Sequence, residues 1–186
     1  MIDLTKLVPG KAFLTKGVGR DKQKLTSFEL ALRDAGIARY NLVQVSSIFP
    51  PHCELVTPEA GIKQLVPGQI VFSVIAKAET NEPSRLAAAS IGLAIPKDQS
   101  HHGYISEHHA FGQRTEPAGD YAEDLAASML ATVLGVPFDP DEAWDERREQ
   151  WLLSGEIVDS QHISCTAEAQ DDGCWVTVVG ALVFCG

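Results

Sequence analysis

The chain reads as an α+β protein, and three observations predict it. Strand-like and helix-like segments are both present, but they lack the strict βαβ alternation of a parallel sheet. That favours mixed or antiparallel sheets with helices on their outer faces. Near the C-terminus two apolar strand patterns, 157–168 and 175–184, flank the hairpin signal Asp171-Asp172-Gly173. Finally, 186 residues with 45% apolar and 22% charged side chains suit one domain with a substantial core. No internal repeat or linker-like tract interrupts it, so residues 1–186 are expected to fold as a single domain.

Taken in order, Thr26-Ser27-Phe28-Glu29 has the form of a capping box, with Thr26 as N-cap and Glu29 three residues on. The helix it opens would turn Phe28, Leu32 and Ala35 inward and stop at Gly36, a residue suited to the left-handed C′ position. A strand follows, with Val43 and Val45 marking its half-buried end and Pro50-Pro51 stopping it. Residues 70–75 read as a buried strand behind the Pro67-Gly68 turn. Residues 85–95 are ambiguous: their alanines favour helix, while Ile91, Leu93 and Ile95 alternate as in a strand. Residues 103–107 form a short strand. Tyr121, Leu125, Met129 and Val133 recur every four residues, as the apolar stripe of an amphipathic helix does. Asp139-Pro140 opens another helix, with Trp144, Trp151 and Leu152 as candidate buried residues.

Bulk properties narrow the function. A net charge of −10 argues against nucleic acid as a partner, because phosphate binding needs a concentrated basic surface. No apolar run is long enough to span a membrane, and Met1-Ile2-Asp3-Leu4-Thr5-Lys6 lacks the features of a signal peptide. A cytoplasmic protein is the expectation. Cys53, Cys165, Cys174 and Cys185 show neither CxxC spacing nor the density of a disulfide scaffold. Cys165 and Cys185 fall in apolar strands and read as buried thiols, while Cys53 reads as a packed loop residue near the serine pair described next. His101-His102 and His108-His109 invite a metal hypothesis, yet two doublets beside a strand do not define a ligand set, and no metal is expected. Gly17-Val18-Gly19 is no dinucleotide fingerprint, since no GxGxxG follows.

The most informative segment is Asn41-Leu42-Val43-Gln44-Val45-Ser46-Ser47-Ile48-Phe49-Pro50-Pro51. Two adjacent hydroxyls sit where a strand gives way to a rigid loop. There the hydroxyl of Ser47 can attack the carbonyl carbon of Ser46, turning the peptide bond into an ester. Elimination of that ester leaves dehydroalanine at position 47, which hydrolyses to a pyruvoyl group with loss of ammonia. This segment resembles the self-cleavage site of the pyruvoyl-dependent arginine decarboxylases. Ala94-Ile95-Pro96-Lys97-Asp98-Gln99-Ser100 with Gly103-Tyr104-Ile105-Ser106-Glu107 is similar to a second block of that family. The stretch from Gly17 to Gly36, centred on Leu25-Thr26-Ser27-Phe28-Glu29-Leu30-Ala31-Leu32, is similar to a third.

The resemblance tips residues 85–95 to strand and implies a four-layer αββα sandwich. It further implies a homotrimer, or a dimer of trimers, with active sites between neighbouring subunits. The chain would cleave into residues 1–46 and 47–186, with the pyruvoyl group from Ser47 as cofactor. The substrate implied is L-arginine, taken through a Schiff base to agmatine and CO2. Ser46 would supply the new carboxyl terminus. Asn41 matches an asparagine that polarises the scissile carbonyl, and Glu107 a glutamate that protonates the carbanion carbon after decarboxylation. Glu29 falls where the family binds the guanidinium with an acidic residue, usually aspartate; glutamate is one methylene longer. Lysine, ornithine or histidine as substrate, or an unprocessed non-catalytic homologue serving as an assembly subunit, are the alternatives.

Overall fold

A computed structural model describes residues 7–135 and 157–186. In chain order the elements are β1 (Lys11–Asp21), α1 (Lys24–Asp34), β2 (Asn41–Gln44), β3 (Ile48–Phe49), β4 (Glu54–Leu55) and α2 (Pro58–Ile62). They continue with β5 (Ile70–Thr80), β6 (Leu86–Pro96), β7 (Gly103–Phe111), α3 (Thr115–Leu134), β8 (Ile157–Glu168) and β9 (Trp175–Cys185). Five strands form one sheet in the order β2-β5-β9-β1-β4, and four form a second in the order β3-β7-β6-β8. The first is mixed, with β2 parallel to β5 and β4 parallel to β1, while the pairs of the second are antiparallel.

Side-chain alternation explains the layering. Val74, Ala76, Val178 and Leu182 of the first sheet meet Ala89, Ile91, Leu93 and Ile105 of the second in a core between the sheets. The opposite face of the first sheet carries Phe13, Val71, Val179 and Val183 against Ala31 and Ala35 of α1. On the outer face of the second, Ala94 packs under Ala126, Ala127 and Leu130 of α3. The result is the expected αββα sandwich. Gly17 and Gly19 are spacers here, since a Cβ at either would overlap the α1 backbone at Ala31 or Ser27. Their absent side chains let α1 lie directly on β1.

Four readings need correction. The capping box is not one: α1 starts at Lys24 with Gln23 as N-cap, so Thr26 and Glu29 lie inside the helix. An Asx turn, Gln23 N–H to Asp21 Oδ1 at 2.7 Å, starts the chain turning before Thr26 is reached. The stripe of α3 is the wrong face: Tyr121, Leu125 and Val133 are exposed, and Ala118, Ala122, Ala126 and Leu130 are buried. Small side chains win that face because they bring the helix close to the sheet, where Ser106 Oγ donates to the Ala122 carbonyl. Asp171-Asp172-Gly173 is a turn but makes no hairpin, because β8 pairs with β6 and β9 with β1 and β5, in different sheets. The strand at 41 ends at Gln44, not at Pro50, and Val43 is exposed on an edge strand. The helix expected from Asp139-Pro140, with Trp144, Trp151 and Leu152, lies outside the described residues. Gly36, at φ +76°, ends α1 as expected, and 86–96 is strand.

Candidate active site

Ser46 and Ser47 occupy the crossing from one sheet to the other. Upstream, Val45 N–H donates to the Ser73 carbonyl of β5 at 3.0 Å, holding the chain to the first sheet. Downstream, Ile105 N–H of β7 donates to the Ser47 carbonyl at 2.9 Å, holding it to the second. The Ser46–Ser47 peptide bond is strung between these two anchors. Across it, Ile48 N–H donates back to the Ser46 carbonyl at 2.9 Å, a three-residue γ-turn centred on Ser47. Ser47 is not among the non-glycine residues with positive φ, so the turn is of the common inverse kind.

That hydrogen bond matters chemically. The Ser46 carbonyl carbon is the atom a hydroxyl must attack, and a donor on its oxygen stabilises the charge that develops there. The family resemblance implies this task for Asn41. Within the chain, Asn41 Nδ2 instead donates to the Gly68 carbonyl at 2.8 Å. It stands at the start of β2, roughly 16 Å from Ser46 along an extended strand. The backbone amide of Ile48 was invisible to a reading of side chains.

Glu107 lies near the crossing. It shares the inner face of β7 with Ile105, two residues away, and pairs across with Ile91; both isoleucines are fully buried. Ser47 sits opposite Ile105, which puts Glu107 at a diagonal cross-strand position about 7 Å away. β3 pairs only with Gly103 and Tyr104, so among the described residues the β7 edge beside Glu107 has no neighbouring strand. Burial against this apolar face raises the Glu107 carboxyl above its ordinary range, and the nearby charge of His109 pulls it partly back.

Glu29 is elsewhere. It lies on α1, across the first sheet from the serine pair, and pairs with Arg33 Nε at 2.6 Å. Ser46, Ser47 and Glu107 therefore form one group, while Asn41 and Glu29 stand apart from it. An apolar groove of ≈ 490 Å³ opens beside Ser46, walled by Val8, Val45, Ile48, Pro50 and Phe72, with no carboxylate in its lining. The histidine doublets disperse: His101 contacts Asp98 at 3.2 Å, His102 meets Tyr104 edge-on, and His108 bonds Gln113 at 2.7 Å. Cys53 is packed, and burial pushes its thiol up to about 12, far from a reactive thiolate. Cys165 and Cys185 are buried, as their strands suggested.

A sandwich with two adjacent serines at a backbone carbonyl hydrogen-bonded on its oxygen, near a carboxyl shifted upward, suits an enzyme that makes its electrophile from its own chain. Comparison with known proteins gives the family. Residues 11–186 match the family model described as pyruvoyl-dependent arginine decarboxylase, and the chain belongs to that family. It is 58% identical to the probable pyruvoyl-dependent arginine decarboxylase of Chlorobium luteolum, covering 95% of this chain and 97% of that one. Identity is 56% to pyruvoyl-dependent arginine decarboxylase 2 of Methanosarcina acetivorans, over 96% and 97% of the two chains. With the pyruvoyl-dependent arginine decarboxylase of Nitrosopumilus maritimus it is 54%, again over 96% and 97%.

Proposed function

We propose that the chain cleaves itself between Ser46 and Ser47 and then decarboxylates L-arginine to agmatine and CO2. The observation that carries this is the crossing itself, a carbonyl hydrogen-bonded on its oxygen and followed directly by a hydroxyl-bearing residue. Ser47 Oγ adds to the Ser46 carbonyl carbon, the C–N bond breaks, and an ester replaces the amide. Loss of the Ser47 α-proton expels the Ser46 carboxylate, and water then releases ammonia. The two products are residues 1–46 and residues 47–186. The pyruvoyl group so made supplies a ketone that captures an α-amine and accepts the electron pair freed when CO2 leaves.

The chain's own residues do the rest. Glu107, protonated more readily than an ordinary carboxyl, is the proton donor to the α-carbon. Glu29 provides the counter-charge for the guanidinium. Its exposed pair with Arg33 is worth about 0.3–0.5 kcal/mol and is readily given up to the substrate. Asn41 completes the set from the start of β2. Because Glu29 and Asn41 lie away from Ser47 of the same chain, the reading includes a homotrimer, or a dimer of trimers, in which neighbours share each site. Edge strand β2, with Val43 40% exposed, and the exposed Tyr121, Leu125 and Val133 of α3 provide apolar surface for such contacts. Four free cysteines fit a reducing cytoplasm.

Intact mass spectrometry with a product assay tests this. Two fragments of roughly 5 and 15 kDa are expected, the larger carrying a pyruvoyl end that leaves it about 17 Da lighter than a free serine amine. Arginine should yield agmatine while lysine, ornithine and histidine yield no amine. A single intact chain after prolonged incubation would overturn the mechanism. Turnover of another amino acid would overturn the substrate.

A further inference from the structure

On the outer face of the second sheet, away from the serine crossing, Glu116 and Asp120 of α3 meet His162 of β8. One ligand-capable atom from each lies within 4.8 Å of the other two. From these residues we infer a binding site for a divalent transition-metal ion, with one imidazole nitrogen and two carboxylate oxygens as its ligands.

The imidazole is set up as a ligand. His162 Nδ1 lies 2.8 Å from Glu123 Oε2, an oxygen that only accepts, so Nδ1 is the donor of this pair and Nε2 is the nitrogen left to face a metal ion. The second Glu123 oxygen accepts from Ser160 Oγ at 2.7 Å, which fixes the carboxylate that fixes the ring. A carboxylate behind a histidine is how proteins orient imidazoles toward metals. The ring also has a slot made for it. A Cβ at position 119 would overlap the His162 ring, so a glycine in mid-helix, unfavourable by about 1 kcal/mol against alanine, admits it.

The carboxylates have no other employment. Among the described residues, neither Glu116 nor Asp120 makes a salt bridge or side-chain hydrogen bond. Spaced i, i+4, they project from the same face of α3. Bonds of about 2.1 Å in a tetrahedral site hold ligand atoms about 3.4 Å apart, a contraction that the exposed Glu116 supplies by changing rotamer. Three chain ligands leave coordination open for water. The nitrogen and oxygen set suits Zn²⁺, Co²⁺ or Mn²⁺ and not the soft monovalent ions that thiolates select. The ion would clamp α3 to β8, a structural role separate from decarboxylation.

The test uses full-length, untagged, processed protein stripped with a chelator and titrated with Zn²⁺ and Co²⁺. One ion per chain is expected, with a visible Co²⁺ spectrum and a rise in melting temperature. The double variant Glu116→Gln/Asp120→Asn should bind at least 100-fold more weakly and lose the thermal shift. Glu123→Gln should weaken binding 10- to 100-fold while leaving the three ligands in place. Arginine decarboxylation should be the same in stripped wild type and in both variants. Matching melting temperatures in chelator would show that the variants fold. Failure of wild type to bind any of Mn²⁺, Co²⁺, Ni²⁺ or Zn²⁺ stoichiometrically would overturn the proposal. So would undiminished binding by the double variant.

Discussion

Glu107 and Glu29 are both glutamates in a proposed active site, and the chain treats them in opposite ways. Glu107 projects from the inner face of β7 beside two buried isoleucines, where loss of water raises its pKa. Glu29 rides on a solvated helix in an ion pair with Arg33. One environment favours the protonated form of the carboxyl; the other leaves the side chain in solvent beside a guanidinium. In the proposed function, identical side chains divide acid chemistry from charge recognition by what surrounds them. They also stand on opposite sides of the first sheet, which is why the proposed site draws them from neighbouring chains.

Subunit mixing breaks or sharpens that comparison most. Glu29→Lys and Glu107→Gln chains should each be nearly inactive alone. Co-expressed, they should recover about a quarter of the wild-type sites, the share of junctions in a randomly mixed three-fold ring that join two intact halves. No recovery would place both glutamates in the site of a single chain. Glu107→Gln by itself should lower the rate of agmatine formation by about 10²–10⁴ while the cleaved fragments still appear in the mass spectrum. Ile48→Pro removes the donor to the Ser46 carbonyl and should slow self-cleavage by about 10²–10³, read as the half-life of the intact chain. Equal processing of that variant and wild type would return the polarising role to Asn41.

The smallest effect is on stability. A carboxyl whose native pKa lies above the unfolded value, about 4.3, leaves the native state holding more protons between the two. Stability therefore falls as pH rises from about 4.3 through the native pKa, and then levels. Glu107→Gln should lack this decline, so its melting temperature should gain on wild type across that window. A pH-independent difference would mean that the carboxyl is not desolvated.

Much of this was legible in the chain. The serine pair, Glu107 and the strand identity of 86–96 came from contiguous blocks, and Gly36 announced its own turn. What was not legible follows from physics that a linear pattern lacks. The apolar spacing of Tyr121, Leu125 and Val133 marks a helix, but only packing decides that its alanines face the sheet. The Asp-Asp-Gly turn specifies a reversal, not which sheet receives the next strand. A backbone amide such as that of Ile48 has no sequence signature, and the Glu116, Asp120, His162 cluster joins residues from two distant elements.

The serine crossing leans on strands that lie further along the chain. Ser73 of β5 holds its upstream side and Ile105 of β7 its downstream side, while β9 fills the place between β5 and β1. An emerging polypeptide cannot assemble this crossing until the chain has been made and folded through Ile105. Ripening of the reactive ketone is thereby tied to this folding. In the proposed function, a chain that has not folded lacks both anchors of the serine pair and is expected to stay uncut.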